Sequence, residues 1–182
     1  MPSVVLSQLP IPRQNFGRRT GNIPLGAACL KLAVQDLPGA EVRILPQDAA
    51  AYLGDAALAE HLTSFRADIY GFTVYSWNLQ RSLYVAGKLK SAGNCRIVFG
   101  GPEITPDNDR AHSACVDFYA YGEGEAVFRR LLQDPAAWSA GSGAESSAAW
   151  FRTAESPYLS GMIDPAIENL MLIETQRGCP YR

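Results

Sequence analysis

The chain has 182 residues, of which 47% are hydrophobic and 19% are charged, as in a globular protein of one domain with an appendage. Its formal net charge of −2, without any Lys/Arg cluster, excludes the basic surface that typifies nucleic-acid-binding proteins. No stretch approaches the ~18 apolar residues of a transmembrane helix, and the N-terminus lacks the features of a secretory signal, so no membrane partner is expected. The four cysteines lie far apart, which predicts a reducing, cytoplasmic location.

Strands and helices alternate along the first 133 residues. The predicted strands are Ser3–Leu6, Glu41–Leu45, Asp68–Val74, Arg96–Phe99 and Asp117–Tyr121, and the main predicted helices are 24–37, Asp55–Phe65, Leu79–Ser91 and Glu123–Leu132. Such alternation implies right-handed crossovers and a parallel sheet that is covered on both faces. We therefore predict an α/β fold, a three-layer, doubly wound parallel sheet of about five strands in the flavodoxin-like order 2-1-3-4-5.

The composition changes after Gln133. Residues 134–149 are rich in Ala, Gly and Ser, which predicts a flexible linker between a Rossmann-type domain at 1–133 and a connector at 150–182. Within the connector, Leu170–Glu174 is predicted to form a strand, and we interpret it as the start of a second domain.

Three loops at the carboxyl edge of the predicted sheet carry the candidate site. Ligands of open parallel sheets bind at this edge, and glycine lets a flat or bulky ligand approach the backbone. The loops contain no phosphate-binding motif of either common kind. The candidate cofactor-binding residues are Thr73, Tyr75 and Ser76 after the third strand, Gly100, Gly101, Pro102 and Glu103 after the fourth, and Gly122, Glu123 and Gly124 after the fifth.

These loops, in this order, resemble those of the cobalamin-binding domain of corrinoid enzymes. That family carries Asp-x-His-x-x-Gly after the first strand, Ser-x-Leu after the third and Gly-Gly after the fourth. Gly100-Gly101 matches, and Thr73-Val74-Tyr75 matches Ser-x-Leu loosely, with the hydroxyl kept by Thr73 (Ser76 is a second candidate). The resemblance implies that the dimethylbenzimidazole tail of cobalamin enters the sheet edge, where the glycines let it pass and the hydroxyl binds it.

The first loop departs from the family pattern. Residues 10–24 contain no histidine, and His61 and His112 lie in or near predicted helices elsewhere. The resemblance therefore implies a base-off cobalamin without a histidine as the lower ligand of cobalt.

The C-terminal residues 174–182, ETQRGCPYR, look like the opening of the radical S-adenosylmethionine motif Cys-x-x-x-Cys-x-x-Cys. The resemblance makes Cys179 the first ligand of an incomplete [4Fe–4S] site. It implies that the cluster, S-adenosylmethionine and the catalytic barrel belong to a longer parent enzyme, with this piece catalytically inactive.

Several alternatives stay open from the sequence. The domain could keep the corrinoid fold but have lost cobalamin and serve as a docking module, or it could be a receiver-like module that never bound a corrin. A receiver needs acidic residues at the end of the first strand, and Leu6-Ser7-Gln8 supplies none. Glu123 and Glu125 either interact with a helix N-terminus or bind corrin amides. Tyr75 and Trp77 either cover a macrocycle or belong to the core.

Overall fold

The computed structural model describes residues 2–11, 21–166 and 169–174. In this part of the chain six parallel strands form one sheet in the order β2-β1-β3-β4-β5-β6. The strands are β1 (Ser3–Gln8), β2 (Glu41–Ile44), β3 (Ile69–Thr73), β4 (Arg96–Gly100), β5 (Phe118–Ala120) and β6 (Ser142–Gly143). The helices are α1 (Leu25–Ala33), α2 (Gln47–Tyr52), α3 (Asp55–Ser64), α4 (Leu79–Ala92), α5 (Glu125–Gln133) and α6 (Ala148–Phe151), with 3₁₀ turns at Asp109–Ala111 and Pro135–Ala140.

The predicted fold class and strand order are confirmed, and the sheet gains one strand. The sixth strand is only two residues long and follows the Gly141 turn, where Tyr119 donates a backbone hydrogen bond to the Gly141 carbonyl oxygen at 2.9 Å. A stretch of Gly and Ser has no hydrophobic periodicity, so the pattern could not indicate this strand. The division into domains at residues 133 and 149 stays a prediction, although residues 135–143 pair with or lie beside the sheet.

The sheet separates two apolar cores. On one face, α3 and α4 pack over Phe72, Ile97 and Phe99, which are buried. On the other face, α1 and α5 pack over Val4, Leu6, Val98 and Phe118. The side chains of successive residues alternate between these faces, so the central strands β1, β3 and β4 contribute to both cores, as in a doubly wound sheet.

The predicted strand at Leu170–Glu174 is wrong. These residues have no strand partner in the described part of the chain, and the backbone N–H and carbonyl groups of Leu172 bond to the hydroxyl of Tyr158 instead. A strand requires a neighbouring strand to satisfy its backbone groups, and an apolar run does not supply one. Among residues 2–11, 21–166 and 169–174, no helix has the length and apolar character needed to cross a membrane.

Candidate functional site

A row of small residues crosses the sheet at its carboxyl edge. The backbone register aligns Gln8 of β1 with Thr73 of β3, Gly100 of β4, Ala120 of β5 and Gly143 of β6. Paired residues point to the same face of a sheet, here the face that α1 and α5 cover. Gly100 and Ala120 in this row carry little or no side chain, and space remains between them and the two helices.

The next row of aligned residues lies two positions earlier on each strand and has large side chains, except for one glycine. Leu6, Gly71, Val98 and Phe118 are aligned across the four strands β1, β3, β4 and β5. A Cβ on Gly71 would lie 2.7 Å from Cδ2 of Leu6, so the absence of a side chain there lets Leu6 lean over β3. Leu6 and Val98 of this row form the floor below the row of small residues.

A cavity of about 440 Å³ opens between these rows and the two helices. This volume lies within the roughly 300–1,000 Å³ of small-molecule sites in proteins. The sheet contributes Leu6, Gly71, Phe72, Thr73, Val98, Gly100 and Ala120, the helices contribute Gly26, Leu30, Glu125, Val127, Phe128 and Leu131, and the loops contribute Tyr75, Gly101, Pro102, Gly122, Glu123, Gly124 and Glu174.

The two consecutive glycines of the β4 loop play different parts. A Cβ on Gly100 would meet Cβ and the carbonyl oxygen of Ala120 at 3.6 Å, which is ordinary van der Waals contact. Gly101 has φ +106°, and a Cβ there would lie 2.7 Å from the carbonyl oxygen and 2.8 Å from the nitrogen of Val74. The fold therefore requires glycine at position 101, whereas at position 100 glycine keeps the cavity open.

The loop after β3 is organised by Asn78, whose side chain is fully buried. Its Nδ2 donates to the carbonyl oxygens of Leu9 at 2.9 Å and Thr73 at 3.1 Å, and its Oδ1 accepts from the backbone N–H of Tyr75 at 2.8 Å. Asn78 thereby ties the end of β1 to the loop after β3, the two strands between which the chain reverses its winding direction. This residue is missing from the sequence-based site.

An aromatic pair lies beside the cavity. The rings of Tyr75 and Trp77 stack with centroids 4.4 Å apart and an interplanar angle of 7°. Tyr75 lines the cavity, whereas Trp77 is 48% exposed. Burial raises the pKa of the Tyr75 hydroxyl above its ordinary value, so this group is a neutral hydrogen-bond donor at neutral pH.

The loop after β5 places carboxylates on the opposite side of the cavity. Gly122 adopts a φ of +69°, which turns the chain from β5 toward α5. Glu123 accepts a hydrogen bond from the backbone N–H of Ser147, and Oγ of Ser147 accepts one from the backbone N–H of Ala126 at 3.1 Å. Glu125, in the first turn of α5, is buried and also lines the cavity.

A family model described as B12 binding domain matches residues 20–132, which is more than half of the chain. The chain belongs to this B12-binding domain family. The matched range includes the three loops that line the cavity, so the family assignment and the cavity concern the same part of the fold.

Two curated relatives of this B12-binding domain are methyltransferases. One is the cobalamin-dependent radical SAM methyltransferase TokK of Streptomyces tokunonensis, and the other is the 2-(S-pantetheinyl)-carbapenam-3-carboxylate methyltransferase of Streptantibioticus cattleyicolor. Each is 32% identical to this chain over a match that covers 63% of this chain and 21% of the relative. The chain thus spans about a fifth of the length of the curated relatives it matches.

Among solved structures, the radical S-adenosylmethionine methyltransferase TsrM from Kitasatospora setae shares the fold. Its structure, determined with a tryptophan substrate and a SAM analogue, superposes with a TM-score of 0.56 over 72% of this chain and 25% of that one, at 16% identity. This likeness confirms the predicted fold, and the predicted resemblance to cobalamin-binding domains is confirmed by the family model.

The B12-binding domain brings most of the predicted site residues to one cavity. Thr73, Tyr75, Gly100, Gly101, Pro102, Gly122, Glu123 and Gly124 all line it. Ser76 and Glu103 do not: Ser76 is exposed, and Oε1 of Glu103 accepts a hydrogen bond from Nδ2 of Asn108 at 3.1 Å. Cys179 lies outside the described residues. The role of each residue in binding a cofactor stays a prediction.

Proposed function

We propose that this chain binds cobalamin in the cavity between the sheet and helices α1 and α5, as the cofactor-binding part of a radical S-adenosylmethionine methyltransferase. The observation that supports it best is the row of small residues at the carboxyl edge, Thr73, Gly100 and Ala120, beside which a cavity of about 440 Å³ stays open. Family membership supports cobalamin as the ligand, and the two methyltransferase relatives support a methyltransferase as the parent enzyme.

The shape and chemistry of the cavity fit the nucleotide tail of the cofactor. Its floor is apolar, formed by Leu6, Val98 and Phe128, which suits a flat benzimidazole ring. Thr73 brings a hydroxyl to the middle of the sheet edge, where it can bond to a polar atom of the tail. A docking module without a ligand would have no use for such a space, and natural cores are usually packed without one.

The cobalt is proposed to be in the base-off form, without a histidine ligand from this domain. Residues 10–24 contain no histidine. His61 packs edge-on against Phe65 on α3, with ring centroids 5.0 Å apart, and His112 lies 4.7 Å from the ring of Tyr119. Neither histidine lines the cavity. The stacked Tyr75 and Trp77 are the aromatic groups beside the mouth, and we propose that they contact the macrocycle.

The chain's own part in the reaction is to hold and orient the cofactor. Bound cobalamin supplies a cobalt centre that can carry a methyl group. The backbone around Gly100 and Gly101 admits the tail, Asn78 fixes the loop that carries Tyr75, and the apolar floor excludes water from the tail. The [4Fe–4S] cluster and S-adenosylmethionine are proposed for the full parent enzyme, with Cys179 as one of three thiolate ligands. Since the printed sequence has no other cysteine after Cys115, this chain alone is expected to be inactive in methyl transfer.

Cobalamin binding can be tested on the chain as it stands. The protein is incubated with hydroxocobalamin, desalted and examined by visible absorption, and a retained corrin spectrum near one equivalent is expected. Reduction to cob(II)alamin followed by electron paramagnetic resonance tests the coordination, because the proposed state shows no splitting from an axial nitrogen. Loss of all corrin on desalting overturns the proposal, and nitrogen splitting overturns its base-off part.

A pair of leucine variants separates the cavity from the rest of the surface. Gly100→Leu fills the cavity and is expected to abolish corrin retention. Gly87→Leu is the matched control, because Gly87 lies on α4, over the other face of the sheet, and has nothing within 4 Å of the position of its Cβ. Equal retention by the two variants would place the ligand elsewhere.

A further inference from the structure

The chain returns to the cavity after α6. Residues 156–163 form a turn whose Ile163 is buried against Ile23 and Ala28. Ala28 belongs to α1, the helix that also supplies Gly26 and Leu30 to the cavity wall. The anchor of the C-terminal segment is thus the same helix that bounds the cavity.

A single hydroxyl group then holds the next part of the chain. The Tyr158 hydroxyl accepts a hydrogen bond from the backbone N–H of Leu172 at 2.8 Å and donates one to the carbonyl oxygen of Leu172 at 3.2 Å. Leu172 is 40% exposed and Ile173 is 74% exposed, so apolar burial contributes little to the position of this segment. The paired hydrogen bonds with Tyr158 are a specific contact that holds Leu172 in place.

Glu174 follows Leu172 by two residues and lies in the wall of the cavity. Glu123 and Glu125 line the same cavity, and no Lys, Arg or His lines it among the described residues. A ligand whose rim carries neutral amide N–H donors can hydrogen-bond to carboxylates, and bonds of this kind are stronger than those between neutral groups. A ligand with carboxylates at the same positions meets like charges instead, which is unfavourable.

We propose that Glu174 is a specificity-determining residue for the corrinoid, that it accepts a hydrogen bond from a peripheral carboxamide, and that Tyr158 is its positioning residue. The inference rests on the proposed function and deepens it. The cavity then selects the fully amidated corrinoid over derivatives in which one peripheral carboxamide is hydrolysed to a carboxylate. The selection uses repulsion of the wrong ligand as well as attraction of the right one.

The test compares two ligands on the intact chain. Dissociation constants are measured by absorbance titration for cobalamin and for each isomeric cobalamin monocarboxylic acid. We expect at least one isomer to bind roughly tenfold more weakly than cobalamin, which corresponds to about 1.4 kcal/mol. Glu174→Gln keeps an acceptor oxygen but removes the charge. The ratio of the isomer's dissociation constant to that of cobalamin should therefore fall to about two or less. The affinity for cobalamin itself should change by less than roughly threefold. Glu155→Gln, an exposed glutamate that does not line the cavity, is the control and should keep the ratio.

Tyr158→Phe tests the positioning role. It keeps the ring against Ile23 and Ile163 and removes both bonds to Leu172, so the ratio should fall as in Glu174→Gln while the melting temperature stays close to that of the unaltered chain. Tyr84→Phe, on the other side of the sheet beside Lys88, is its control.

Each outcome decides a different claim. If the unaltered chain binds no corrinoid, the proposed function fails and this inference fails with it. If cobalamin binds but Glu174→Gln leaves the ratio unchanged, or no isomer is discriminated against, only the inference fails. A ratio that falls in Glu174→Gln but not in Tyr158→Phe removes the positioning role of Tyr158.

Discussion

Two alanine substitutions at adjacent positions should have opposite consequences. Gly100→Ala adds a methyl group that meets Ala120 at an ordinary 3.6 Å, so the folded chain should accept it. Gly101→Ala adds one that would lie 2.7 Å and 2.8 Å from backbone atoms of Val74, at a φ of +106°. Backbone atoms cannot move aside as the end of a flexible side chain can. We therefore expect Gly100→Ala to change binding and Gly101→Ala to change folding.

The magnitudes follow from these contacts. Replacing Gly by Ala at a compatible backbone position stabilises a protein by about 0.4–1 kcal/mol through the unfolded chain, so Gly100→Ala should melt at or slightly above the temperature of the unaltered protein. Its methyl group narrows the cavity between Thr73 and Ala120, and overpacking by one methyl group costs about 1–3 kcal/mol, or roughly 5- to 150-fold in affinity for cobalamin. For Gly101→Ala, strain and overlap together should cost about 3 kcal/mol or more of stability.

The assay is a thermal melt by circular dichroism together with a hydroxocobalamin titration of each variant. The reasoning requires that the two measurements separate the variants. A Gly101→Ala protein with unchanged stability would contradict the argument from Val74. A Gly100→Ala protein that binds cobalamin as the unaltered chain does would show that the tail does not pass over β4.

Two further substitutions test the surroundings of the cavity, and a third tests the opposite edge of the sheet. Asn78→Ala leaves backbone carbonyl groups of Leu9 and Thr73 without their partner and should lower the free energy of unfolding in urea by about 2–4 kcal/mol. Asn94 is exposed, so Asn94→Ala is the control and should change this free energy by no more than about 0.5 kcal/mol. Thr73→Val keeps the shape of the side chain and removes its hydroxyl, so cobalamin should bind roughly 2- to 12-fold more weakly in the titration, without change in the melting temperature. Hydrogen bonds from the N–H and hydroxyl of Ser3 hold the pKa of Asp68 below its ordinary 3.8. The stabilising effect of the Asp68 carboxylate is therefore present above pH 3.8 and is lost as the pH falls through the folded-state pKa. Asp68→Asn should destabilise the chain at pH 7 and flatten the acid side of its stability curve, and an unchanged acid side would contradict this assignment.

The fold was predictable because its signals are local. Each apolar run followed by a glycine-containing turn and an amphipathic helix indicates one β-α unit, and the handedness rule then leaves few topologies. The observed helices α3 and α4 begin at the predicted Asp55 and Leu79. Helix α2 was missed because its six residues, QDAAAY, bury only Ala50 and show no amphipathic period.

The candidate site was only partly predictable. Glycines at the ends of strands are visible in a sequence, and these led to the loops that line the cavity. Ser76 and Glu103 do not line the cavity, which the sequence could not indicate because a loop sequence does not reveal which side chains point inward; their role in binding stays a prediction. Glu174 was expected in a strand, whereas it lines the cavity, and the Tyr158 hydroxyl bonds to Leu172, two residues before it. The cytoplasmic location also stays a prediction.

The register explains why the cavity forms where it does. Gly100 is small by sequence, but it opens a cavity only because Thr73 and Ala120 lie directly beside it on β3 and β5. A shift of either neighbouring strand by one residue would turn the aligned side chains to the other face and place Phe72 or Tyr119 in that row. The bulky residues Phe72, Phe99 and Tyr119 instead share the opposite face, where α3 and α4 pack. Large and small residues thus alternate along the strands, so the face under α3 and α4 is fully packed and the face under α1 and α5 holds the cavity. A ligand site can therefore form on one face of the sheet without weakening the packing of the other.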